Sequence, residues 1–199
     1  MYLLASANKP IRSPAESIVL PKRLLHHRDA FKSYEIAKMW SAYHEGDMDA
    51  AYVLTLIYTG MRTGEFLAAK EKNIDLIACL IIGVASKNKE CVNKPIIIPR
   101  ILVPVLKSLC IGDPERPLFS LSRPSFYSFY YTFLQRIQVR ALPPYCCRHT
   151  CATLLARKNV SLAITQQVMR HADYRTTLEV YTHLDTDDAH SAMDSLEEE

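Results

Sequence analysis

A chain of 199 residues has room for one well-packed domain and is short for two. Its apolar content of 49%, charged content of 23% and five glycines suit an ordinary globular protein, and argue against a Gly-rich phosphate loop or an all-β fold full of tight turns. The net charge of +3 hides an asymmetry: residues 184–199 hold seven acidic side chains and no Lys or Arg, so residues 1–183 carry 24 basic against 14 acidic, a net +10 that permits a polyanionic partner without establishing one.

Residues 1–29, with Pro10, Pro14 and Pro21 and no clear periodicity, read as an extended lead-in. Helical spacing of Ile36, Met39, Trp40 and Tyr43 follows Ser33, a predicted N-cap. A second helix opens around Asp47–Asp49 and runs through the apolar stretch 51–58, with Gly60 to end it. A short helix is expected over Thr63–Lys70. Ile77–Val84 and Lys94–Ile98 read as strands joined across the polar segment 86–93. Helical pattern returns over Leu102–Leu109 and Pro124–Val139, the latter carrying Phe126, Tyr127, Phe129, Tyr130, Tyr131 and Phe133, expected to pack the core. After Pro143 and Pro144, three closely spaced helices cover Cys146–Lys158, Leu162–Met169 and Tyr174–His183. The fold class is mostly α with a small antiparallel β-sheet.

No apolar run reaches the ~18 residues that span a bilayer. Met1–Ala5 lacks a basic leader, and Lys9 and Pro10 close it off, so the expected compartment is the cytosol and no membrane is engaged. Cys146, Cys147 and Cys151 surround His149, yet the spacing suits a metal poorly: there is no C-x-x-C pair, and Arg148 would place a cation among the ligands. Cys147, Cys151, Leu154 and Leu155 instead follow the i, i+4, i+7, i+8 rhythm of a core stripe. No metal and no cofactor are expected.

Four separated segments carry the chemistry. They are Thr59-Gly60-Met61-Arg62-Thr63-Gly64-Glu65, Ser86-Lys87-Asn88-Lys89, Tyr145-Cys146-Cys147-Arg148-His149-Thr150, and the run from His171 to Tyr181-Thr182-His183. In this order they resemble the tyrosine recombinase (phage integrase) family: a T-G-[LM]-R-x-x-E box, a sheet lysine, an H-x-x-R-H-T box, and a histidine about ten residues before Tyr-Thr-His. The resemblance covers roughly residues 30–183.

It implies an enzyme that cleaves and rejoins strands of double-stranded DNA through a 3′-phosphotyrosyl intermediate, working as a homo-tetramer on DNA. Arg62 and Arg148 would neutralise the transition-state phosphate, since a guanidinium is always charged and forks onto two oxygens. Tyr181 would be the nucleophile, and the ester it forms conserves the bond energy, so no ATP is needed. Lys87 would protonate the leaving 5′ oxygen, with Lys89 the alternative, and His171 would donate to the phosphate or position the tyrosine. His149, on another face of its helix from Arg148, is expected to be structural.

The chain departs from the pattern at two positions. Tyr145 stands where the family has His, one turn from Arg148 on the same helix face, and a phenol is a poorer proton acceptor than imidazole near neutrality. Arg170 stands where Gly commonly precedes the histidine, and an added cation beside the scissile phosphate would be tolerable there. The family also implies an N-terminal core-binding domain outside this sequence, with residues 1–29 as linker, 30–183 as catalytic domain and 184–199 as acidic tail. The alternative is a catalytically weak DNA-binding remnant of a mobile-element integrase.

Overall fold

The computed structural model describes residues 29–84, 94–120, 122–171 and 174–181. Helix α1 spans Ser33–His44. Its N-cap is Lys32 rather than Ser33: the Lys32 N–H donates to Glu35 Oε2 at 2.7 Å, so the chain is already helical at Ser33. Helix α2, Met48–Thr59, opens where expected, with the Asp47 carboxylate accepting from the Asp49 N–H at 3.0 Å. It is apolar nearly all round and accordingly buried, packed most extensively against α1 and helix α6 (Tyr145–Arg157). Gly60 ends it in the left-handed conformation at φ 60°.

Helix α3, Thr63–Ala68, stops two residues short of the predicted Lys70. The Lys70 N–H is taken by Asn73 Oδ1 at 2.8 Å, which turns the chain into a 3-10 turn over Glu71–Asn73. A three-stranded antiparallel sheet follows, in the order β1 (Ile74–Asp75), β2 (Leu80–Ile81) and β3 (Ile96–Ile97). The long strand expected over Ile77–Val84 is corrected here to a turn followed by a short strand, and β1 was not anticipated. Asp75 Oδ1 accepts from the N–H groups of Ile77 and Ala78 at 3.0 and 2.8 Å, and Cys79 takes a positive φ of 56°, so the chain reverses before Leu80. Pairing of β2 with β3, Ile81 opposite Ile96, is as the sequence suggested. Lys87 and Lys89, between these two strands, lie outside the described residues.

Helices α4 (Val103–Leu109) and α5 (Arg123–Arg136) complete one side of the core. Phe126, Tyr130 and Phe133 are fully buried, and rings from α5 meet Phe66, Phe119 and Tyr52 edge-on or tilted, as with Phe119 and Phe126 at 5.2 Å and 90°. The expected core role holds for Phe126, Tyr130, Phe133 and the partly buried Phe129, whereas Tyr127 and Tyr131 lie on the exposed face of α5. Helices α7 (Leu162–Met169) and α8 (Tyr174–Tyr181) pack on the far end of α6 and on each other. There Cys151, Ala152, Ala156 and Met169 form a smaller apolar cluster with Leu155 and Tyr181. The cysteine stripe is buried too: Cys147 contacts the Tyr130 hydroxyl at 3.4 Å, and burial pushes the Cys147 and Cys151 thiols up to about 12. Among the described residues no helix is long and apolar enough to cross a membrane.

Candidate active site

Two elements deliver the first arginine. Gly60 adopts a conformation that L side chains rarely take, and a Cβ there would lie 3.0–3.1 Å from Met169 and Cys151 sulfur atoms. The glycine therefore ends α2 and admits α6 and α7 at close range. Two residues later, Arg62 caps α3, its N–H donating to Glu65 Oε2 at 2.8 Å and its Nη1 to Glu65 Oε1 at 2.9 Å. About a third of the Arg62 side chain remains in solvent. The T-G-M-R-T-G-E spacing is thus a turn, a cap and a clamp.

The second arginine comes from the first turn of α6. Arg148 is only 2% exposed and donates through Nη1 to the Gly60 carbonyl and through Nη2 to the Met169 carbonyl. Burial first, then the neighbouring Arg62 and Arg170, lower its pKa to about 10, so it remains a cation at neutral pH. Tyr145, at the start of α6, is 42% exposed and within electrostatic reach of Arg148.

Arg170, at the end of α7, is held by a buried carboxylate. Its side chain is 4% exposed and turned back onto Glu65, with Nη2 2.8 Å from Oε2 and Nη1 3.4 Å from Oε1. Burial alone would raise the Glu65 carboxyl, but the Arg62 N–H and the Arg170 and Arg62 guanidiniums hold it below its ordinary value. Glu65 was part of the first box, yet its buried bidentate partner was not foreseen. The i, i+3 spacing of Arg62 and Glu65 was the signal for half of the pair; the other half comes from 105 residues away.

His171 follows directly, its Nδ1 2.8 Å from the hydroxyl of Thr177, which is fully buried on α8. Arg62, Arg148 and His171 therefore gather where α3, α6 and the end of α7 meet. Tyr181 is held differently. Its hydroxyl donates to the Val160 carbonyl and lies 2.6 Å from Thr165 Oγ1. Thr165 is one helical turn, ~6 Å, before Met169, whose carbonyl receives Arg148. The phenol proton is thus committed to the Val160 carbonyl in the α6–α7 connection. His149 is half-buried in α6 on a different face from Arg148.

The chain is similar in sequence and in fold to known recombinases. The chain is 29% identical over 185 residues to the tyrosine recombinase XerA of Saccharolobus solfataricus, covering 91% of this chain and 59% of that relative. The crystal structure of XerA recombinase superposes with a TM-score of 0.69 at 23% identity, over 88% of this chain and 66% of that one. XerH site-specific recombinase, in a post-cleavage complex with a palindromic difH substrate, gives a TM-score of 0.65 at 19% identity, over 85% and 54%. The chain thus spans between half and two thirds of the length of these proteins. Residues 30–188 match the profile of the phage integrase family, and a match over most of the chain, on a mostly helical fold with a small antiparallel sheet, places the chain in that family.

Proposed function

We propose that the chain is the catalytic part of a site-specific tyrosine recombinase that breaks and rejoins double-stranded DNA. The observation that carries this reading is the arginine cluster. Arg62, Arg148 and Arg170 gather around Glu65, three cations to one anion, with Arg62 still reaching solvent. Such a surplus of fixed positive charge is suited to a phosphodiester whose charge grows in the transition state. Guanidiniums there do the work that a divalent cation does in metal-dependent phosphoryl transfer.

In this mechanism the Tyr181 oxygen attacks phosphorus, forming the Tyr181–phosphate bond as the bond to the 5′ oxygen breaks. The phenol proton passes to solvent water, and the 5′ oxygen takes a proton from Lys87, or from Lys89. Arg62 and Arg148 hold the non-bridging oxygens, His171 donates to one of them, and Tyr145 contacts the phosphate or the nucleophile. A strand bearing a 5′ hydroxyl reverses the step and rejoins. Residues 30–183 form the catalytic domain, 1–29 the lead-in and 184–199 the acidic tail, and four copies assemble on DNA.

The test is a random-sequence library of nicked duplexes, in which loss of a short 5′-hydroxyl fragment traps the covalent adduct. Tyr181→Phe is expected to abolish adducts while leaving duplex binding nearly intact. Adducts that persist in Tyr181→Phe overturn the assignment of the nucleophile.

A further inference from the structure

We infer that Arg170 is a positioning residue for the phosphate-binding arginines, a role that rests on the recombinase reading above and that the glycine common at this place in the family cannot fill. Arg170 is the point at which three of the four sequence boxes are tied together. Its side chain grips Glu65 of the first box through both terminal nitrogens. Its carbonyl lies 3.5 Å from Arg62 Nη2. The carbonyl just before it, on Met169, accepts from Arg148, and the residue just after it is His171. Moving Arg170 therefore moves acceptors of both arginines and the histidine together.

The charge balance gives the side chain its task. A carboxylate offers about four acceptor sites. On Glu65 these are taken by the Arg62 N–H, Arg62 Nη1 and the two Arg170 nitrogens. Because Arg170 shares the carboxylate, Arg62 is oriented by Glu65 without being neutralised by it. With glycine at 170, the whole negative charge of a buried Glu65 falls on Arg62, drawing its guanidinium inward and leaving less positive charge for the phosphate. The backbone makes the same point. Arg170 sits at φ 53°, a conformation that L side chains rarely adopt and that glycine takes freely. An arginine is held there although glycine suits the local backbone better, and its buried pair with Glu65 is the interaction that offsets the strain.

The experiment compares wild type, Arg170→Gly and Arg170→Lys on the nicked-duplex library, reading single-turnover adduct rate, duplex affinity and melting temperature. Positioning predicts an adduct rate reduced about ten- to hundredfold in Arg170→Gly, with duplex affinity within about threefold of wild type, since other basic groups also meet the backbone. Arg170→Lys, which keeps the charge but loses the fork, recovers part of the rate. A purely structural role moves melting temperature, affinity and rate together and is not rescued by lysine; that pattern overturns the proposal. If Arg170→Gly does not fold, Arg170→Lys decides alone: an adduct rate equal to wild type overturns it, and a several-fold loss at unchanged affinity supports it. Wild-type rates in Arg170→Gly overturn the positioning role and leave the recombinase reading standing. Failure of wild type to form any adduct overturns both.

Discussion

Glu35 shows what one buried carboxyl demands of its surroundings. It is fully buried on α1 and meets Arg140 through Nε at 2.8 Å and Nη2 at 2.6 Å, 105 residues away. Burial raises its carboxyl, but the Arg140 side chain and the N–H groups of Lys32 and Arg140 hold it below the ordinary 4.5. A carboxyl lowered by folding adds stability above its unfolded pKa, and that stability is lost as pH falls through the lowered value. Arg140→Ala is expected to cost about 2–3 kcal/mol at pH 7, less than a fully buried pair because Arg140 keeps about a third of its side chain in solvent. Below 4.5 the deficit shrinks, because a protonated Glu35 no longer needs the cation. Urea melts at pH 7 and pH 4 check this; equal deficits at both would count against the pairing. Tyr145, by contrast, is 42% exposed and lies within electrostatic reach of Arg148.

Among the elements, α8 carries the functional tension. It brings Thr177 to His171 and Tyr181 to the small cluster beneath α6 and α7, two contacts one turn apart on the same face. The Tyr181 hydroxyl donates to the Val160 carbonyl and pairs with Thr165, so on the proposed mechanism these contacts restrain the nucleophile. Thr165 is fully buried and close to isosteric with valine, which allows the hydrogen bond to be deleted with little change in packing. Thr165→Val is expected to raise the single-turnover adduct rate about two- to tenfold, the equivalent of one hydrogen bond of roughly 0.5–1.5 kcal/mol. A slower Thr165→Val enzyme would show that Thr165 helps present the tyrosine instead of restraining it.

At the scale of the molecule the charge is divided, with a net +10 over residues 1–183 against seven acidic residues in the final sixteen. A basic body that neutralises phosphates binds by releasing counterions, so affinity falls steeply with salt. A contact with four phosphates predicts a loss of roughly 100-fold between 50 and 200 mM salt. Titration of a fluorescent duplex across that range checks it, and a flat profile would remove the phosphate backbone as the main contact. The chain spans between half and two thirds of its relatives' length, so this affinity belongs to the part of the surface present here.

Local rules were enough for much of the molecule. Helical spacing in α1, the Asp47 cap, the Gly60 stop and the paired prolines before α6 each act within a few residues, and the sequence alone placed those elements and ordered the boxes that carry Arg62, Arg148, His171 and Tyr181. The sheet was harder, because strands of two residues have no periodicity to read, and a single Asp75 side chain decided that residues 76–79 turn. What only the tertiary structure decided is the state of the charged groups. Arg170 reads in sequence only as an added cation in place of glycine; folding buries it on Glu65, because a buried carboxylate needs its lone pairs filled and Arg62 fills only two of them. Tyr181 reads as a nucleophile, and folding gives its proton to Val160, since a half-buried hydroxyl must donate to whatever acceptor packing brings near. Spacing along the chain fixes which side chains share a face; which partners satisfy them depends on contacts between elements, 21 positions apart for Tyr181 and Val160 and 105 for Arg170 and Glu65.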